Sequence, residues 1–160
     1  MSKAKKADAK SRPQSRKLID NMLAERQQML VLLWELSKLD SPTVDQPMLD
    51  ALEEFQQILV DYIAAGHFGL YQRIVEGNER RQPVLDTARE IYTRIEQSTD
   101  LAVEFTERYS GAETLTIREK LMKDLSQLAE ELSTRIELED RLIMAMLGTD
   151  YAIPEARPGT

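Results

Sequence analysis

Leu59-Val60-Asp61-Tyr62-Ile63-Ala64-Ala65-Gly66-His67-Phe68-Gly69-Leu70-Tyr71 is the stretch on which the fold turns. It holds the only histidine of the chain and sets one acid inside an apolar run. Read outward in both directions, Leu52, Phe55, Leu59, Ile63, Gly66, Leu70 and Ile74 recur every three or four residues. That is the period of one face of an α-helix. Asp61, Ala65 and Phe68 fall together on the opposite side, so this helix is expected to bury one face and offer the other for docking. His67 is placed nearer the core side, beside Val60, Ile63 and Ile74.

The same periodicity recurs along the chain. A first helix is expected over about 15–39, carrying Leu18, Ile19, Met22, Leu23, Met29, Leu30, Leu33, Trp34 and Leu36, with Arg26 in a gap of the stripe. Pro42 and Pro47 punctuate the loop that follows and open the second helix, over about 48–76. Gly66 and Gly69 each cost that helix about 1 kcal/mol relative to alanine, which close approach by a neighbour or a local bend would explain. A third helix is expected over about 83–109, with Leu85, Ala88, Ile91 or Tyr92, Ile95, Leu101 or Ala102 and Phe105 inward. A fourth, over about 116–147, carries Ile117, Leu121, Leu125, Leu128, Leu132, Ile136, Ile143 and Met146, with Glu139 in the slot between Ile136 and Ile143. No segment alternates as a strand does. Four long helices on short loops predict an all-α, antiparallel four-helix bundle over 15–148, flanked by a disordered basic tail at 1–14 and a C-terminal tail at 149–160.

Up-and-down connectivity brings Arg26, His67 and Glu139 to a similar level. Each interrupts or borders an apolar stripe, and buried charge persists when paired, so an Arg26–Glu139 ion pair with His67 beside it is expected as a buried structural network. One histidine cannot build a di-iron bundle site, which takes Glu-x-x-His on paired helices. The chain has no cysteine, no glycine-rich phosphate loop and no zinc spacing, and an enzyme is not expected. No cofactor and no metal are expected either.

Charge narrows the partners. The formal net charge is −7, yet residues 1–17 carry +6, leaving −13 on the remainder. An acidic body repels duplex DNA and attracts basic surfaces. The basic tail is of the kind ordinarily left solvated, with nucleic acid as its alternative contact. The longest apolar run, Met29–Trp34, is too short to span a bilayer, and the N-terminus lacks the apolar core of a signal peptide, so a cytoplasmic protein is expected.

Three groups of residues carry a family likeness. Leu18-Ile19-Asp20 with Glu25-Arg26-Gln27-Gln28, Leu59-Val60-Asp61-Tyr62 with Ala65-Gly66-His67-Phe68 and Tyr71, and Arg135-Ile136-Glu137-Leu138-Glu139-Asp140-Arg141-Leu142 resemble the Rsd/AlgQ family of bacterial sigma-factor regulators. The likeness extends from about Arg16 to Leu147. It implies an all-helical protein that binds the primary sigma factor of RNA polymerase, chiefly through region 4, the helix-turn-helix that reads the −35 promoter element. Sequestration of that factor would favour alternative sigma factors. The acid of the Val-Asp-Tyr motif matters for sigma binding in the family, and here it is Asp61. The implied partner-binding set is Asp61, Tyr62, Ala65, Phe68 and Gln72. Some members are also reported to bind the phosphocarrier protein HPr or the stringent-response enzyme SpoT. Two rival readings come from the residues themselves: a self-associating bundle with Met29–Trp34 as its dimer face, and a metal-binding bundle using His67, Glu139 and Asp140.

Overall fold

The computed structural model describes residues 2–39 and 43–148, with side chains from residue 16 onward. Its elements are α1 (Ser2–Lys38), α2 (Gln46–Gly66), a π-helical turn (His67–Tyr71), α3 (Gln72–Val75), α4 (Gln82–Tyr109) and α5 (Thr114–Leu147). The described chain is the all-α bundle of long helices expected. α1 pairs closely with α2 and α4 with α5, and the two hairpins meet across a shared core. Arg26 of α1 reaches Asp140 of α5, and the Arg141–Glu90, Arg94–Glu131 and Arg108–Asp124 pairs tie α4 and α5 together at three levels in antiparallel order.

The N-terminus departs from expectation. α1 begins at Ser2, so the backbone of residues 2–14, expected as a disordered tail, continues the helix. Its alanines and lysines are strong helix formers, and they continue the helix N-terminally past Pro13, which removes one backbone donor from within it. The expected C-terminal tail, 149–160, lies outside the described residues.

Local signals account for the ends. The Asp45 carboxylate accepts a hydrogen bond from the Met48 N–H at 3.0 Å, and Pro47 occupies the first turn of α2, where no intrahelical donor is needed. Each long helix then buries one stripe. In α5 it is Ile117, Leu121, Leu125, Leu128, Leu132, Ile136, Ile143 and Met146, all buried. In α4 it is Val84, Ala88, Ile91, Ile95, Ser98, Ala102, Phe105 and Tyr109. Leu85, expected inside, is only half-buried, because Val84 continues the stripe back from Ala88 and Ile91.

The glycines coincide with a local break in the α-helical pattern. Gln72 donates its N–H to the His67 carbonyl, an i to i+5 bond that defines the π turn and divides the expected 48–76 helix. Gly69 allows the approach of α1: a Cβ there would lie 3.2 Å from the Leu18 carbonyl oxygen. Gly66 faces inward, where a Cβ would lie 3.2 Å from Glu139 Oε2.

The end of α5 is closed by an ion cluster from the α3–α4 connection. Arg81 donates to the Met146 carbonyl at 2.6 Å, satisfying one of the unpaired acceptors of that helix end, and grips Glu79 through Nε at 2.9 Å. Burial works to raise the Glu79 pKa. Hydrogen bonds from the Arg81 side chain and backbone, with the charges of Arg81 and Arg73, outweigh it and hold the carboxyl below its ordinary 4.5. Asp124 behaves alike, burial being outweighed by hydrogen bonds from Tyr109 and Arg108, and the Arg94 hydrogen bond lowers Glu131. Groups whose pKa is depressed by folding stabilise the protein fully above their unfolded values and lose that contribution as pH falls through the folded ones. These carboxylates are therefore expected to leave thermal stability flat from about pH 5 to neutral and to make it fall below pH 5. A Glu79→Gln protein should show a shallower acid slope, measured by circular dichroism melts across the pH series; an unchanged slope would exclude Glu79 as a contributor.

Candidate functional site

Beneath the α2 surface lies a polar network that joins all four long helices. Glu139, fully buried on α5, receives Arg26 Nη2 of α1 at 3.2 Å and the Tyr62 hydroxyl of α2 on Oε1, and Arg135 Nε at 3.1 Å on Oε2. Arg26 Nη1 also reaches Asp140 at 2.7 Å. Arg135 Nη1 continues into α4, donating to Thr99 Oγ1 at 2.7 Å and Ser98 Oγ at 3.0 Å. Two guanidiniums face two carboxylates, so the cluster is close to neutral, and each oxygen of Glu139 is occupied. Burial first, then the Glu139 charge, pushes the Tyr62 pKa up against the opposing pull of Arg26 and Arg135, so the phenol remains a donor.

Two sequence placements change. His67 is exposed and takes no part in the network; its ring packs edge-on against Phe68, with centroids 5.4 Å apart. Tyr62, expected on the partner-binding face, is fully buried and is the α2 member of the network instead. The cause is geometric. Tyr62 and His67 flank the apolar stripe of α2 at comparable angles, and the tight α1–α2 contact covers the Tyr62 side, leaving the α4 side open. The rival metal set is not gathered: Glu139 is taken up by two arginines and a tyrosine, and among the described residues no cluster of three or more potential ligands occurs. Arg135, Ser98 and Thr99 were missed. Arg135 sits one turn before Glu139 on the buried stripe of α5, and Ser98 is the one polar position in the stripe of α4. A charged residue and a polar gap on facing stripes were the available signals.

The remaining surface residues stay outside. Asp61 is exposed, Ala65 half-buried and Phe68 53% exposed. Gln72 is half-buried and donates to Glu76 at 3.2 Å. Phe68 forms the crest of an apolar groove of about 300 Å³ between α2 and α4, lined also by Val60, Ile63, Ala64, Ala102 and Val103. Val60 and Val103 are 55% and 46% exposed, so three of the large exposed apolar side chains among the described residues share one groove. Concentrated exposure of this kind marks interaction surfaces, whereas scattered apolar residues do not. α2 contributes four acids, Asp50, Glu53, Glu54 and Asp61, and no Lys or Arg. Its outer face is acidic and apolar together, a match for a basic amphipathic partner.

The Met29–Trp34 run is partly consumed by packing. Met29 is fully buried, Leu30 to Leu33 are half-buried, and Trp34 is 42% exposed with Lys38 Nζ over its ring. Among the described residues, no helix is long and apolar enough to cross a membrane.

Residues 1–147 match the family described as regulator of RNA polymerase sigma(70) subunit, Rsd/AlgQ. A protein named regulator of sigma D from Shigella boydii serotype 4 (strain Sb227) is 34% identical over 141 residues, covering 83% of this chain and 85% of the relative. Its namesake from Enterobacter sp. (strain 638) is 33% identical over 138 residues, covering 83% and 82%. The Escherichia coli (strain K12 / DH10B) protein of that name is 33% identical over 141 residues, covering 83% and 85%. No solved structure matches. With nearly its whole length inside the family pattern, the chain belongs to the Rsd/AlgQ family of regulators of the RNA polymerase sigma(70) subunit.

Proposed function

We propose that the protein is an anti-sigma regulator that binds region 4 of the primary sigma factor through the outer face of α2, centred on Asp61 and Phe68. The observation that carries this reading is the coincidence of an exposed aromatic crest, on the π turn that continues α2, with the acidic face of α2, which has no Lys or Arg. A promoter-reading helix-turn-helix bears Arg and Lys for phosphates and base edges. Asp61 pairs with one such side chain while Phe68 packs against the apolar flank of the helix, so that sigma cannot hold the −35 element at the same time. Core polymerase is then left to alternative sigma factors. The rigid network under α2 holds this face in register and itself makes no contact with the partner. HPr and SpoT, implied by the family likeness as further partners, draw support from no specific feature of this surface.

The test is capture of the primary sigma factor by the purified protein, alongside its Asp61→Ala variant, followed by titration against isolated region 4. An acid beside an aromatic at the centre of an interface is worth about 2 kcal/mol, so affinity is expected to fall roughly 30-fold. Retention of full affinity by the variant would remove Asp61 from the mechanism. Failure of the wild type to bind sigma would remove the function.

A further inference from the structure

The first helix outruns the others. The Leu18 carbonyl lies beside Gly69, and α3 ends six residues past that glycine, at Val75. Arg26 reaches Asp140, and α5 ends seven residues farther on, at Leu147. Counted back equally along the antiparallel α1, α5 stops at the level of residue 19 and α3 at the level of residue 12. Residues 2–11 of α1 therefore extend about 15 Å past the last level at which another described helix accompanies it. Charges are screened over about 8 Å at physiological ionic strength, so the outer turns of this arm lie beyond most of the field of the −13 remainder.

The composition of the arm restricts its partner. Residues 2–17 hold seven Lys or Arg and one acid, and no apolar residue larger than alanine apart from Pro13. A membrane-surface helix needs large apolar residues on one face, and the core of a protein interface needs them too. Recognition by charge alone points to a polyanion. Around the helix axis, residues 3, 6, 10 and 17 fall within about 60° of one another, and residues 5, 12 and 16 within about 40°, the two groups being centred about 130° apart. All seven are the basic residues of the segment. Ser2, Ala9 and Pro13 lie in the strip between the two stripes, and Asp8, the one acid, falls on the far side.

We propose that residues 2–17 form a cationic helical arm that lies in the major groove of duplex DNA, with one basic stripe toward the phosphates of each strand. A helix with its side chains is about 10–12 Å across, which the major groove of B-form DNA admits and that of A-form RNA does not. The small residues between the stripes carry nothing that reads base edges, so binding is independent of sequence. The α2 face assigned to sigma takes no part, and the arm stands or falls separately from that reading.

The experiment is fluorescence anisotropy of labelled DNA duplexes of about 20 base pairs, in two unrelated sequences, titrated with full-length protein from about 50 to 200 mM salt. Both sequences are expected to bind alike. Each lysine that neutralises a phosphate contributes about 0.9 to the slope of log affinity against log salt, so Lys3→Gln/Lys6→Gln/Lys10→Gln should flatten that slope by about 2.7. Deletion of residues 1–14 should abolish binding, since the acidic remainder repels DNA, and should leave the melting temperature unchanged. Ala7→Pro keeps every charge and interrupts the helix, and should weaken binding several-fold. Full affinity in Ala7→Pro would identify an unstructured cationic tail and overturn groove docking. Tighter binding to duplex RNA or to single-stranded DNA, or a salt slope unaltered in the triple variant, would overturn the assignment of duplex DNA as the partner.

Discussion

Glu139→Ala is expected to be the most damaging single substitution in this protein, costing about 3–5 kcal/mol of stability. The carboxylate is fully buried and is the common acceptor of Arg26, Arg135 and Tyr62. Its removal leaves two buried guanidiniums facing each other across the core with only Asp140, on the solvent side of Arg26, as a counter-charge. The methylene groups lost contribute less than that unpaired charge does. A melting temperature lower by about 10 °C or more is expected, read by circular dichroism, with a parallel loss in urea midpoint at unchanged slope. The contrast is with replacement of the whole cluster. Arg26→Met/Arg135→Met/Glu139→Leu removes every charge whose partner is lost within the core, and should cost far less than the single change, since apolar substitutes of similar volume match a buried ion pair in stability. A triple variant as unstable as Glu139→Ala would mean that the network supplies net stability in its own right.

Charge reversal at Asp61 is expected to abolish sigma binding outright. Asp61→Ala removes an attraction, whereas Asp61→Arg sets like charges against each other at the proposed contact, which costs several kcal/mol and so about a thousandfold or more in affinity. Folding should be untouched, because Asp61 is exposed and the Tyr62 beside it carries the structural contact. Asp50→Arg and Glu54→Arg, on the same acidic helix, serve as controls for long-range steering: they should slow association modestly and in proportion to ionic strength. Calorimetry of region 4 against the three variants separates a local contact from the field of an acidic body. Equal losses for all three would assign binding to net charge and leave Asp61 without a special role.

The core stripes were legible because burial in a long amphipathic helix follows period alone. All eight apolar positions read from α5 are buried, and Glu139 in their midst is buried with them. Gly66 and Gly69 also announced themselves, since two costly residues in a helix pointed to a close approach, and a Cβ at either would be crowded at 3.2 Å. The network was half visible. Arg26 and Glu139 break apolar stripes and could be paired by level, while Arg135 entered only as part of the family motif and was not assigned to the network.

What the linear chain determined by itself is therefore the set of helices, the face each one buries, and the excess of acid on α2. All of these follow from spacing and composition within a single segment. Which flank of the α2 stripe would be covered was decided only in the folded bundle. The close packing of α1 drew Tyr62 into the core as the hydrogen-bond donor of Glu139, while the wider gap toward α4 left His67 and Phe68 at the surface. Spacing sets a side chain's angle about its own helix axis; the distance at which a neighbouring helix stops is set by the summed packing of side chains from both, and no single segment contains that information.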